Sequence, residues 1–172
     1  MRWLAVALSS SLLAASAGCD PVHSDAVASL GPEQGDVRKG PEHRPGQPCL
    51  VCHGGSGPGG ARFGVAGTVF ASEASPTAVS NIVVHLKDAT GAEHDVTTNA
   101  AGNFYTDWQP TYPLRVELRP EGGDPVVMRT SIGRDGSCGG CHLATKGPRS
   151  AGRVVLAIET DAAVPPRKDA GR

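Results

Sequence analysis

The stretch that decides the fold runs from Gly67 to Thr106 and reads GTVFASEASPTAVSNIVVHLKDATGAEHDVTTNAAGNFYT. Short runs rich in Val, Ile and Thr alternate in it with Gly, Asn, Asp and Ser, which is typical of strands joined by turns. Ile82, Val84 and Leu86 share one face of an extended segment, so that segment has a side suited to a core. The stretch therefore predicts β-structure.

The same pattern extends in both directions along the chain. Two stretches that end in glycine, 88–91 and 99–102, are predicted to be hairpin connections. The predicted strands are 63–71, 81–87, 93–98, 103–106, 114–119, 126–132 and 153–158. No segment of ten or more residues has a clear helical period. We therefore expect an all-β fold, a single small seven-stranded Greek-key-type sandwich over residues 46–160.

Three short motifs within this stretch carry a family resemblance. They are Gly67-Thr-Val69, then Val84-His-Leu86 followed by Asp88 and Gly91, and finally Thr98 leading to Gly102-Asn-Phe104. With these motifs the chain resembles a carboxypeptidase-regulatory-like domain, a small transthyretin-like sandwich. The resemblance implies the fold and says little about function, because such domains occur as spacers and binding modules on many proteins.

Composition limits the classes of function. The 172 residues carry 16 Lys and Arg against 17 Asp and Glu, a balance that argues against a nucleic-acid partner. Only seven residues are aromatic: three Phe, two Trp and two Tyr. A core with so few aromatic rings must be built from Val, Ile, Leu and Ala, or must use the flat apolar surface of a cofactor. This composition argues against a large helical enzyme.

The beginning of the chain predicts export. Residues 1–18 combine one Arg, an apolar run and small residues before Cys19, which is the layout of a secretory signal. This segment resembles a bacterial lipoprotein signal, and the resemblance implies lipidation at Cys19. We expect a flexible tether over 19–45 and a disordered tail over 161–172. The protein would then lie on the periplasmic side of a bacterial membrane or at the cell surface, held by its N-terminal lipid.

The most specific signal is a pattern that occurs twice. The two copies are Cys49-Leu-Val-Cys52-His53 and Cys138-Gly-Gly-Cys141-His142. Cys-x-x-Cys-His is the attachment pattern of c-type haem: two cysteines on one turn form thioethers with the vinyl groups, and the adjacent His is the proximal iron ligand. The pair of motifs resembles a dihaem c-type cytochrome. We expect two covalent haem c groups, in irregular loops over 46–62 and 135–150.

Two other interpretations of the cysteines stay open at this point. The two pairs could form one four-cysteine zinc site, as in a zinc ribbon with an inserted domain. They could also form disulfides, either within each motif or between the motifs. Neither alternative needs a histidine after each pair, so the repeated His53 and His142 favour haem.

A six-coordinate haem needs a second axial ligand. His43, six residues before the first motif, and Met128 are the candidates that we select as distal ligands. His85 and His94 are expected to be structural, the first exposed on the surface of a sheet and the second partly buried. The choice between His and Met matters because bis-His ligation gives a lower reduction potential than His/Met ligation.

These features predict an exported electron-transfer protein with no substrate chemistry of its own. Its partners would be other periplasmic or surface redox proteins. The predicted strands 63–71 and 153–158 follow the two motif segments, so both haems would lie on one side of the sandwich if these strands are neighbours. The alternative is a non-redox binding or spacer lipoprotein with disulfides or zinc. A third interpretation, a haem peroxidase or sensor, would need an iron with an open distal position.

Overall fold

Residues 21–33 and 39–156 are described by the structure, which is a computed structural model. This part of the chain contains eight strands and three short helices. The strands are β1 (Val65–Phe70), β2 (Val83–Lys87), β3 (Glu93–Thr97), β4 (Asn103–Thr106), β5 (Arg115–Arg119), β6 (Val126–Val127), β7 (Gly136–Ser137) and β8 (Val154–Val155). The helices are α1 (Pro21–Ser29), α2 (Leu50–His53) and α3 (Cys138–Cys141). The expectation of an all-β fold is confirmed.

The strands form two sheets. In the first sheet β1 pairs with β4 in antiparallel orientation and with β7 and β8 in parallel orientation. The second sheet has the order β3-β2-β5-β6, and all its pairs are antiparallel. Because β7 pairs with the start of β1 and β8 with its end, the last part of the described chain is attached along β1.

One apolar core joins the two sheets. Val65, Val69 and Phe104 come from the first sheet, and Val84 and Leu86 come from the second. The alternation predicted for the segment 81–87 is confirmed, since Val84 and Leu86 are fully buried and the side chains between them point to the opposite face. Aliphatic residues supply most of this core, as the scarcity of aromatic residues predicts.

Two details of the strand prediction need correction. The structure has eight strands where the sequence predicts seven, because Gly136 and Ser137 form β7 without any apolar pattern to indicate it. The turn at 99–102 is also not a hairpin, since it connects β3 in the second sheet to β4 in the first. The Asn99 side chain stabilises this crossing by accepting hydrogen bonds from the backbone of Ala101 and Asn103, both at 3.0 Å. The turn at 88–91 does join two paired strands, as predicted.

The segment 19–45, for which the sequence predicts a flexible tether, contains α1 and a turn-rich stretch that contacts the first sheet. Asn103 Nδ2 donates to the carbonyl oxygen of His43 at 3.1 Å, and Asn99 Nδ2 donates to that of Pro41 at 2.7 Å. Just beyond, the backbone N–H of Gly46 donates to Thr68 Oγ1 at 2.8 Å. These strand and turn side chains hold residues 41–46 against the sheet. The composition of the segment, rich in Pro, Gly and charged residues, does not predict these contacts.

Three of the predictions concern residues outside the described ranges: the signal segment 1–18, lipidation at Cys19, and the tail 161–172. Within residues 21–33 and 39–156, no helix has the length and apolar character needed to cross a membrane.

Candidate functional site

The first motif forms a single helical turn beside a cavity. In α2, the backbone N–H of His53 donates to the carbonyl of Cys49 at 2.9 Å, which brings Cys49, Cys52 and His53 together. All three line a cavity of about 300 Å³, and Phe63 and Tyr105 form part of its wall. The motif therefore presents both thiols and its imidazole to the same cavity.

The second motif repeats this arrangement next to a larger cavity. In α3 and the residue after it, the N–H of His142 donates to the carbonyl of Cys138 at 2.8 Å. Cys138, Cys141 and His142 line a cavity of about 810 Å³, whose other walls include Phe104 and Val154. Each Cys-x-x-Cys-His motif thus has a cavity of its own.

The hydrogen bonds of the motif histidines fix their tautomers. His53 Nδ1 lies 2.8 Å from the carbonyl oxygen of Ala61, and His142 Nδ1 lies 2.9 Å from that of Gly152. A carbonyl oxygen can only accept, so Nδ1 must carry the proton, and in the neutral ring Nε2 keeps its lone pair. Metal-bound histidines commonly donate their other N–H to a backbone carbonyl in this way. Both motif histidines are therefore prepared for coordination through Nε2.

His43, predicted as a distal ligand, lies in the first cavity together with His53. The two ring centroids are 5.8 Å apart, and the ring planes are inclined by 58°. His43 Nδ1 is also hydrogen bonded to a backbone carbonyl, that of Gly40, so in the neutral ring its Nε2 keeps the lone pair for the same reason. The first cavity thus contains two imidazoles in the same tautomer.

Met128, the other predicted distal ligand, lies in the second cavity together with His142. It follows the two-residue strand β6, and its backbone N–H donates to the carbonyl of Val116 at 3.0 Å. The residues selected from the sequence are therefore distributed one to each cavity: His43 lies with the first motif and Met128 with the second.

The four thiols differ in their environments. All four are free cysteines; Cys138 is buried, Cys141 is exposed, and Cys49 and Cys52 are half-buried. Burial raises the pKa of the Cys49 thiol to about 11 and that of Cys138 to about 12. The first cysteine of each motif is therefore held as a protonated, uncharged thiol at neutral pH.

The distribution of the thiols bears on the zinc interpretation. A four-cysteine site needs all four sulfurs around one ion, whereas Cys49 and Cys52 line one cavity and Cys138 and Cys141 line the other. Over residues 21–33 and 39–156, no three His, Cys, Asp or Glu side chains are grouped as ligands of one metal ion.

The glycines within the second motif have two different roles. Gly140 lines the second cavity. Gly139 instead packs against the other motif. A methyl group added there would lie 2.6 Å from the Gln47 carbonyl oxygen and 2.8 Å from the Pro48 nitrogen. The missing side chain of Gly139 makes room for the segment that leads into Cys49.

An aromatic stack beside the first motif was not predicted. The ring of His53 stacks on Phe63 with centroids 4.5 Å apart, and Phe63 stacks on Tyr105 at 4.7 Å. Phe63 comes just before β1, and Tyr105 lies on β4, which pairs with β1. The sequence places these two rings in predicted strands. It does not indicate that the rings are close together, because that depends on which strands pair.

The other strand histidines have structural partners. The His85 side chain is only 11 % exposed and is hydrogen bonded to Asp95 at 2.6 Å, so it is less exposed than the sequence predicts. His94 is partly buried; it stacks on Trp108 at 5.3 Å and is hydrogen bonded to Thr106 at 3.0 Å. Neither residue lines the two motif cavities.

Comparison of the chain with known proteins gives no match to a protein-family model, to a curated protein or to a solved structure. The assignment of function therefore depends on the residues and geometry of the two motif cavities.

Proposed function

We propose that this chain is an exported, c-type cytochrome-like electron-transfer protein with two covalently attached haems. The observation that carries the proposal is the repeated geometry of the motifs. Each places two thiols and one imidazole on the wall of its own cavity, and each imidazole donates Nδ1–H to a backbone carbonyl, that of Ala61 or Gly152. The proposed scaffold is a Greek-key-type sandwich with haem-binding loops at 46–62 and 135–150.

The chemistry of attachment suits the thiols of this chain. Cys49 and Cys52 at the first site, and Cys138 and Cys141 at the second, would each add an S–H bond across one vinyl C=C bond. The sulfur bonds to one vinyl carbon and the hydrogen to the other, so no electrons are gained or lost. Nε2 of His53 and of His142 would be the proximal iron ligands. A haem bound in this way supplies a one-electron Fe(III)/Fe(II) couple.

The cavity walls suit a flat apolar group. Their volumes, about 300 and 810 Å³, fall in the range of about 300–1,000 Å³ that is usual for ligand and cofactor sites. Phe63 and Tyr105 in the first cavity and Phe104 in the second supply aromatic surface from a chain that has few rings.

The distal candidates give the two proposed sites different electronic characters. His43 with His53 would make the first site bis-His, and Met128 with His142 would make the second His/Met. Methionine ligation raises the reduction potential relative to bis-His ligation. We therefore propose that the second site has the higher potential and is the electron acceptor of the pair.

The cellular setting forms part of the proposal. The lipoprotein-like signal over 1–18 and the lipidation candidate Cys19 support export and anchoring to a membrane through an N-terminal lipid. Partners would be other redox proteins of the periplasm or cell surface, and the protein would carry electrons without transforming a substrate.

The decisive experiment is production of the full chain in a host that attaches haem c. We expect an intact mass increased by two haem groups and an α band that remains after denaturation. The double variant Cys49→Ser/Cys52→Ser should retain one haem, and so should Cys138→Ser/Cys141→Ser. His85→Gln, outside both cavities, is the matched control and should retain two.

An unmodified, colourless product would overturn the proposal. Loss of two hydrogens per cysteine pair, or bound zinc, would then identify the alternative, a tethered binding or spacer domain. A high-spin spectrum that changes on addition of peroxide would instead show an open distal position, and would favour the peroxidase or sensor interpretation.

A further inference from the structure

The two motifs meet at a contact that we call the motif junction, formed by Gln47, Pro48 and Cys49 of the first motif segment and Cys138 and Gly139 of the second. Its centre is the close approach of Gly139 to the backbone of Gln47 and Pro48. Any side chain at Gly139 would overlap main-chain atoms, which cannot move aside as the end of a flexible side chain can. The junction is therefore a backbone-to-backbone contact.

Both sides of the junction are fixed to the same strand. On the side of the second motif, β7 pairs with Val65 and Ala66 of β1 immediately before Cys138. On the side of the first motif, Gly46 N–H donates to Thr68 Oγ1 of β1 at 2.8 Å. Because β1 lies at the centre of the first sheet, the two motifs are held at fixed positions relative to each other.

The first cysteines of the two motifs are neighbours at this junction. Gly139 follows Cys138 directly and packs against Pro48, which directly precedes Cys49. Burial is the main cause of the raised pKa of Cys138, and the negative charge that Cys49 acquires when it ionises at high pH is the next largest. The second cysteines lie on the far ends of their helical turns, so the junction brings together one attachment point from each cavity.

We propose that the two motifs form one coupled dihaem site, joined at Gly139 through Cys49 and Cys138, rather than two independent sites. This inference rests on the proposed function. Its physical basis is the backbone contact at Gly139, which would hold the two attached groups near each other. Unit charges on the order of 10 Å apart, at an effective dielectric constant of about 20, change each other's equilibria roughly tenfold. The oxidation state of one site would therefore shift the electron affinity of the other.

The geometry of the junction can be tested without haem. In the reduced, haem-free full chain carrying Cys52→Ser and Cys141→Ser, the short thiol cross-linker dibromobimane should join Cys49 to Cys138. Peptide mass mapping identifies the link. Absence of this link in a folded, reduced protein whose Cys49 and Cys138 each react with monobromobimane would overturn the proposed proximity of the two thiols.

The coupling can be tested on the haem-loaded protein by potentiometric titration. We expect the equilibrium constant for reduction of the second haem to differ roughly tenfold between two proteins. One is the full protein with its first haem oxidised, and the other is the variant Cys49→Ser/Cys52→Ser, which would lack the first haem. In the Gly139→Ala background the same comparison should give a smaller difference, because the added methyl group pushes the backbones of the two motifs apart. In the control Gly147→Ala, a methyl group is added where no atom lies within 4 Å, and the difference should be unchanged.

The two proposals fail in different ways. A colourless, unmodified chain overturns the proposed function, while the cross-link still reports on the junction. A dihaem protein in which the potential of the second haem is the same with and without the first overturns the coupling and leaves the proposed function in place. This comparison does not require Gly139→Ala to fold.

Discussion

Gly67 of β1 lies directly against Cys138: a methyl group added at Gly67 would come within 2.7 Å of the Cys138 Cβ. The same methyl group would lie 2.9 Å from the Phe104 ring, which belongs to the core and to the wall of the second cavity. The position of the second motif therefore depends on the absence of a side chain at one strand residue.

This contact predicts the effect of Gly67→Ala. The added methyl group must displace Cys138 or Phe104, and overpacking of this kind costs about 1–3 kcal/mol of unfolding free energy. We expect lower stability in urea and incomplete haem attachment at the second motif, while the first motif is loaded normally. Gly60→Ala, where no atom lies within 4 Å of the added methyl, is the control. A Gly67→Ala protein with wild-type stability and full loading would show that the contact is not needed.

The buried thiols predict that the haem-free protein loses stability at alkaline pH. The pKa values of Cys49 and Cys138 rise from an ordinary 9.0 to about 11 and about 12 on folding. Below about pH 9 both states keep their protons, and stability does not depend on these groups. As pH rises further, the unfolded chain ionises first, so unfolding is favoured progressively up to about pH 12.

The measurement is the urea midpoint of the reduced, haem-free chain as a function of pH. Cys49→Ala/Cys138→Ala should flatten the decline above pH 9 relative to the parent protein. Cys141→Ala, which removes the exposed thiol of the second motif, is the matched control and should leave the decline in place. Equal declines in all three proteins would contradict the prediction.

The different distal candidates predict separate spectroscopic effects. In the proposed dihaem protein, Met128→Leu keeps the apolar volume and removes the proposed sulfur ligand, so it should lower the potential of the second haem and abolish the near-infrared band of methionine-ligated ferric haem. His43→Leu should change the first haem alone, from low-spin towards high-spin. Electron paramagnetic resonance and potentiometry distinguish the two. A methionine band that persists in Met128→Leu would assign the ligand elsewhere.

The hydrogen bonds of the Asp88 carboxylate predict that the protein loses part of its unfolding free energy at acid pH. Its carboxylate accepts from Thr90 Oγ1 at 2.6 Å and from the backbone N–H groups of Thr90, Ala92 and Thr111. These hydrogen bonds, led by that of the Thr90 hydroxyl, lower its pKa below the ordinary 3.8. The stabilisation is complete above about pH 5 and decreases as pH falls through the folded-state pKa.

Asp88→Asn tests this effect, because an amide cannot ionise and accepts through only one oxygen. We expect Asp88→Asn to be less stable than the parent at neutral pH, with the difference decreasing below about pH 4. Urea unfolding between about pH 2 and 7 measures it. Asp107→Asn is a suitable control on the surface. A stability difference that does not change with pH would mean that the carboxylate charge is not involved.

The sequence predicts elements whose pattern lies within a few consecutive residues. It does not predict elements that depend on pairing with a distant strand. The alternation around Val84 and Leu86 is sufficient to predict β2 and its buried face. β7 could not be predicted, because a Gly-Ser pair has no apolar pattern and becomes a strand only by pairing with β1. The turn after β3 was interpreted as a hairpin because a turn's residues do not indicate which sheet the next strand joins.

The candidate site also has features that the motif spacing predicts and features that depend on the folded chain. The spacing of the motifs predicts that thiols and imidazole lie together, because one helical turn brings them there. The backbone carbonyls that accept from His53 and His142 lie 8 and 10 residues further along the chain, and only loop geometry brings them close. The contact of Gly139 with Pro48 joins segments far apart in sequence, so it depends on the complete sheet.

The parallel pairing of β1 with β7 and β8 has a consequence for the order of maturation. In a chain exported from its N terminus, Cys49 and His53 emerge from the translocation channel well before residues 136–155, which complete the first sheet. Until then β1 lacks both of its parallel partner strands, and the junction opposite Gly139 stays open. If the proposed function holds, the first motif would be accessible to a haem-attaching enzyme until the last strands arrive, so loading would proceed from the first motif to the second.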